Sequence, residues 1–70
     1  MPEYELRRVG FQWIAPIVRQ GREDTVRVSL GQPGLSYQRV VAVVDDETGE
    51  IVLDITEADG SHRPMRVVDE

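Results

Sequence analysis

The fold turns on one stretch, Gln38-Arg39-Val40-Val41-Ala42-Val43-Val44-Asp45-Asp46-Glu47-Thr48-Gly49-Glu50-Ile51-Val52-Leu53-Asp54-Ile55. Two runs rich in Val and Ile flank a short acidic break. Branched side chains favour the pleated strand, and each run is too short to compete as a helix. Within the break, Asp46-Glu47-Thr48-Gly49 fits a type I turn followed by a left-handed glycine, the usual three-residue hairpin loop. That loop sets Val43 opposite Leu53, Val41 opposite Ile55 and Arg39 opposite Glu57.

The neighbouring turns extend the hairpin on both sides. Upstream, Gln32-Pro33-Gly34-Leu35 fits a type II turn, with Pro second and Gly third where positive φ is required. It predicts Leu30 opposite Tyr37, Val28 opposite Arg39 and Val26 opposite Val41. Downstream, Asp59-Gly60 invites either a two-residue type I′ turn or a second type I turn with a glycine bulge over Glu57-Ala58-Asp59-Gly60. A slip of one residue exchanges the two faces of a strand. Only the bulge puts Met65 opposite Leu53 and Val67 opposite Ile51, so the bulge is adopted. One face then collects Val26, Val28, Leu30, Tyr37, Val41, Val43, Ile51, Leu53 and Ile55 as the predicted core. Val40, Ala42, Val44 and Val52 fall on the other face and need a cover, which Phe11, Trp13 and Ile14 or a second subunit would supply.

Over the whole chain, period-two alternation replaces helical periodicity, and strands are predicted at roughly 4–9, 11–18, 24–30, 36–44, 50–56 and 63–68. Gly10 divides the first two as a turn or as a bulge. Pro16 lacks an amide hydrogen and belongs to an edge or a bend. The segment Arg19-Gln20-Gly21-Arg22-Glu23-Asp24 reads as a polar turn. The expected architecture is all-β: a small curled antiparallel sheet or SH3-like barrel of five to six strands, in one domain spanning 1–70.

Size and composition exclude several classes. At 70 residues and 7.9 kDa the chain is one small domain with no spare volume for a deep substrate cavity. Cysteine is absent, so disulfides, thiolate metal sites and cysteine nucleophiles are excluded. No apolar run approaches the roughly 18 residues of a membrane span. The start, Met1-Pro2-Glu3-Tyr4-Glu5, lacks the basic and apolar regions of a signal peptide. A soluble cytoplasmic protein is expected. All eight basic residues are Arg, and neither Lys nor Asn occurs. A GC-rich genome accounts for that, or a preference for bidentate guanidinium chemistry does.

The net charge of −5 hides an asymmetry. Residues 1–44 carry six arginines against four acids, net +2, and residues 45–70 carry two against nine, net −7. Charge asymmetry between halves points to a charged partner, unless strands of the two halves pair and mix the charges.

Side chains for catalysis are sparse. His62 lies in a predicted turn, beside no triad-like pattern of serines. Asp54 is the one acid inside an apolar strand, and alternation turns it to solvent. Asp45 to Glu50 is acidic with a glycine but lacks the dozen-residue ligand spacing of a calcium loop. No Cys/His set suits zinc, and the glycines form no phosphate-binding pattern. No enzyme, cofactor or metal is expected. The leading expectation is a protein-interaction module, a small acidic regulator or inhibitor whose hairpin acids Asp45, Asp46, Glu47 and Glu50 attract a basic protein partner. The alternative is a nucleic-acid-binding barrel using Arg7, Arg8, Trp13, Arg19, Arg22 and Arg27. The sequence pI of about 4.7 speaks against that alternative. Head-to-tail self-association is a third use of the charge asymmetry.

Overall fold

Left-handed turn residues build the N-terminal sheet. Gly10, at φ 62, opens the two-residue turn Gly10-Phe11, which places Val9 opposite Gln12. This is the II′ hairpin, with glycine first. Gln20 and Gly21 both have positive φ, 53 and 73, as a type I′ turn demands, and they place Arg19 opposite Arg22. Arg22 and Glu23, expected in a loop, therefore already belong to a strand, which begins two residues earlier than predicted.

In the computed structural model, which describes residues 2–30 and 37–67, seven strands follow in order. They are β1 (Glu3–Glu5), β2 (Arg7–Val9), β3 (Gln12–Arg19), β4 (Arg22–Ser29), β5 (Tyr37–Val44), β6 (Ile51–Glu57) and β7 (His62–Val67). They form two antiparallel sheets, β1-β5-β6-β7 and β2-β3-β4. The first predicted strand is split because it changes sheets. Tyr4 pairs with Ala42, the Leu6 amide donates to the Val40 carbonyl at 2.8 Å, and Arg7 already pairs with Ile14. Leu6, at the corner, is 3% exposed and plugs the space between the sheets.

The core fills that space. Val40, Ala42, Val44, Ile51, Leu53 and Ile55 project from the larger sheet, and Ala15, Ile17 and Val26 from the smaller, with Leu30 just beyond β4. Tyr4, Trp13, Val28, Tyr37, Met65 and Val67 pack around them.

Four expectations are corrected. The sheets do not close into an SH3-like barrel, and seven strands replace five or six, because β1 and β2 join the layers only at a corner. Next, β4 does not pair with β5, so the registers that place Val26, Val28 and Leu30 beside that strand do not occur; β1 takes the place beside β5. The predicted turn at Gln32-Pro33-Gly34-Leu35 lies outside the described residues.

The third correction is the face of β5. The Asp45 amide donates to the Glu50 carbonyl and the Gly49 amide to the Asp45 carbonyl, at 2.8 and 2.7 Å, so the loop holds four residues, not three. Val44 thus pairs with Ile51 and Ala42 with Leu53. That one-residue difference turns Val40, Ala42 and Val44 into the space between the sheets and places Val41 and Val43 on the opposite face, where Val41 is nonetheless buried, as expected, at 9% exposed. Leu53 and Ile55 are fully buried as expected, while Val43 is only half-buried.

Finally, of the three residues expected as a cover only Trp13 packs against the core; Phe11 in the II′ turn is 72% exposed, and Ile14 lies on the outward face beside Arg7 and Arg27. The third hairpin follows the bulge reading. Met65 pairs with Leu53, Val67 with Ile51, and Gly60 has φ 89.

Candidate interaction site

The two sheets divide the charge between them. The larger sheet and its loops hold nine acids (Glu3, Glu5, Asp45, Asp46, Glu47, Glu50, Asp54, Glu57, Asp59) against Arg39, Arg63 and Arg66, net −6. The smaller holds Arg7, Arg8, Arg19, Arg22 and Arg27 against Glu23 and Asp24, net +3. Strands of the two halves do pair, since β1 and β5 share a sheet with β6 and β7, but β2, β3 and β4 keep to their own sheet, and Glu3 and Glu5 of β1 add to the acids of the larger one.

Ion pairing follows the same line. In the larger sheet every arginine meets a carboxylate: Arg39 with Glu5 at 3.6 Å, Arg63 with Glu57 at 3.0 Å and Arg66 with Glu50 at 2.9 Å. In the smaller sheet Arg19 meets Asp24 at 2.7 Å. Among the described residues, Arg7, Arg8, Arg22 and Arg27 have no carboxylate partner. Arg8 Nε donates only to the Gly10 carbonyl, at 3.1 Å.

The four hairpin acids are brought together, but three of them also serve the fold. Asp45 Oδ1 accepts the amides of Glu47 and Thr48 at 2.9 and 3.3 Å, forming the turn's own cap. Asp46 Oδ1 accepts the Gln20 amide at 2.8 Å, and Arg19 Nη1 donates to the Gly49 carbonyl at 3.4 Å. The acidic hairpin is thus clasped to the tip of the β3–β4 hairpin. Glu50 is held by Arg66. Only the Glu47 carboxylate has no partner among the described residues.

Cross-strand register arranges the basic set in two rows. Arg7, Ile14 and Arg27 lie side by side on the outward face of the smaller sheet. Arg8, Trp13 and Val28 form the next row, on the face toward the core, with Trp13 half-buried. Arg22 and Arg19 stand at the far tip. Two open grooves run beside β3: one of about 430 Å³ is lined by Tyr4, Pro16, Ile17, Val18, Glu23, Asp24 and Thr25, the other, of about 470 Å³, by Glu5, Arg7, Val9, Ile14, Ala15 and Pro16. Val9 and Val18 are about half exposed there.

Sequence reasoning missed Phe11 as a surface residue. The signal was the Gly10-Phe11 pair itself, since glycine at the first central position of a tight hairpin leaves the next side chain at the tip.

Asp54 faces solvent, and its Oδ1 accepts a hydrogen bond from His62 Nδ1 at 3.2 Å in the tautomer that carries a proton there. Both side chains of this pair are exposed. Among the described residues there is no cluster of ligands that could hold a metal.

No family model matches the chain, and neither a curated protein nor a solved structure does.

Proposed function

We propose that this chain is a non-enzymatic protein-interaction module, a small acidic regulator or inhibitor that engages a basic, nucleic-acid-binding protein. The observation behind this reading is the partition of charge between layers. Nine acids on one sheet face only three arginines there, so the surplus field points outward. A surplus of one sign steers an oppositely charged partner and raises its association rate. Asp46 and Glu47 are exposed at the tip of the acidic hairpin, and Glu47 is free to meet an incoming cation.

A specific observation favours a second reading, nucleic-acid binding by the smaller sheet. Four unpaired arginines and the exposed Phe11 supply phosphate contacts and a stacking surface. Fluorescence anisotropy with an arginine-rich peptide and with a single-stranded oligonucleotide, each over a salt series, separates the two. The first reading expects the peptide to bind, and the joint change Asp45→Asn, Glu47→Gln, Glu50→Gln to slow its association. Asn at 45 keeps the oxygen that caps the turn. Oligonucleotide binding that weakens with salt and is lost with Arg7→Ala and Arg27→Ala would reject it in favour of the second.

A further inference from the structure

The edges of the two sheets are not equally protected. β1 and β2 are three residues long, and β7 carries Pro64 in its middle. The Glu57–Ser61 hydrogen bond fixes the alternation along β7 so that residue 64 turns its nitrogen away from β6. Proline there removes an outward donor, a common block against edge pairing. β4 is the exception, with eight residues and no proline.

Register determines which groups β4 leaves open. The type I′ turn makes Arg19 and Arg22 a hydrogen-bonded pair, and alternation then turns the amides and carbonyls of Arg22, Asp24, Val26 and Val28 toward β3. Those of Glu23, Thr25, Arg27 and Ser29 point away from the sheet. Among the described residues no strand pairs with them. The Thr25 amide alone is occupied, by the neighbouring Asp24 Oδ1 at 2.7 Å.

The side chains of this edge are self-complementary. Glu23, Thr25 and Arg27 alternate on the outward face, and neither charge has an ion-pair partner among the described residues. We propose that β4 pairs antiparallel with β4 of a second copy of this chain, about a two-fold axis at Thr25. Thr25 then faces Thr25, and Glu23 faces Arg27 of the second copy twice, once on each side of the axis. Roughly six main-chain hydrogen bonds close the seam, and the Thr25 amide exchanges its Asp24 contact for one of them. Shifting the register by two residues per strand destroys the match: centring on Arg27 sets like charges opposite one another, which is unfavourable. The product is a six-stranded sheet built from two three-stranded ones, a closed pair with no further free β4 edge. This inference is independent of the regulator reading, since it uses neither the acidic hairpin nor a basic partner.

Sedimentation equilibrium over a concentration series tests it. The wild-type chain should dimerise reversibly below millimolar concentration. Thr25→Pro should abolish the dimer while leaving the circular dichroism of the monomer intact, because residue 25 donates nothing to β3. Arg27→Glu should weaken the dimer by about tenfold or more through two like-charge contacts. Adding Glu23→Arg to that variant should restore it by reversing both pairs. A wild-type chain that stays monomeric, whether its edge is empty or taken by another protein's strand, overturns the proposal. So does a dimer indifferent to Thr25→Pro, or one that the double reversal fails to recover.

Discussion

The two sheets solve different problems with similar strands. The larger one supplies the largest fully buried side chains, Leu53, Ile55, Val40 and Val44, and satisfies each of its arginines with a carboxylate. The smaller one contributes Ala15, Ile17 and Val26 to the same core, and it leaves four arginines unpaired and Phe11 and Val9 in solvent. A central strand covered on both edges tolerates little exposure, whereas a three-stranded sheet touching the core with one face keeps the other for contacts. Stability resides mainly in the first sheet, and unspent surface chemistry in the second.

The largest effect should come from the core of the larger sheet. Leu53→Ala is expected to cost about 2–5 kcal/mol, the range for a buried leucine truncated to a cavity. A domain this small has only about 4–10 kcal/mol in total, so thermal melting should drop sharply or vanish. A half-buried residue of the smaller sheet, Val28, should lose less on truncation to Ala. Equal losses at the two sites would break the comparison.

Turn glycines come next. Gly49→Ala should cost roughly 1 kcal/mol or more, because φ is 76 and the new Cβ would lie 3.1 Å from Gln20 Cδ at the clasp between the hairpins. Gly60→Ala carries the positive φ but meets no atom within 4 Å, so its cost is backbone strain alone and should be smaller. Chemical denaturation of both variants measures the difference, which is the contribution of the crowded clasp.

The clasp itself is probed by Asp46→Ala, which removes the acceptor of the Gln20 amide. A loss of about 0.5–1.5 kcal/mol is expected, the usual worth of one hydrogen bond. Surface arginines should sharpen the contrast at a lower level. Arg66→Ala should cost no more than about 1 kcal/mol, since its ion pair with Glu50 is exposed, and Arg22→Ala should be neutral within about 0.5 kcal/mol.

The smallest effect is a titration. Hydrogen bonds from the Ser61 hydroxyl and then its amide hold the Asp59 carboxyl below its ordinary value of 3.8. A depressed folded pKa stabilises the fold above the unfolded value, and that contribution is lost as pH falls from 3.8 through the folded pKa. Ser61→Ala should move the Asp59 transition back toward 3.8 in an NMR titration. An unchanged midpoint would show that the hydroxyl does not set it.

Local chemistry made much of this molecule legible in the sequence. Strand content, the outward place of Asp54, the bulged hairpin at Gly60 and the positive φ of Gly49 all follow from side-chain branching, alternation and glycine's freedom, which act within a few residues. The charge imbalance was legible too, but only as a property of two stretches of chain. Tertiary structure decided which strand lies beside β5, because Val-rich strands pair with little specificity, and β1 reached that place by bending at Leu6. It also decided the inward face of β5. Three- and four-residue loops both accommodate Asp46-Glu47-Thr48-Gly49, and the Asp46 contact with the Gln20 amide exists only once the two hairpins meet. Of the acids that looked idle at the hairpin tip all but Glu47 proved to be engaged, and the arginines without a carboxylate partner among the described residues lay on the other sheet. Ion pairing depends on which side chains the folded layers bring within reach, and no spacing along the chain encodes that.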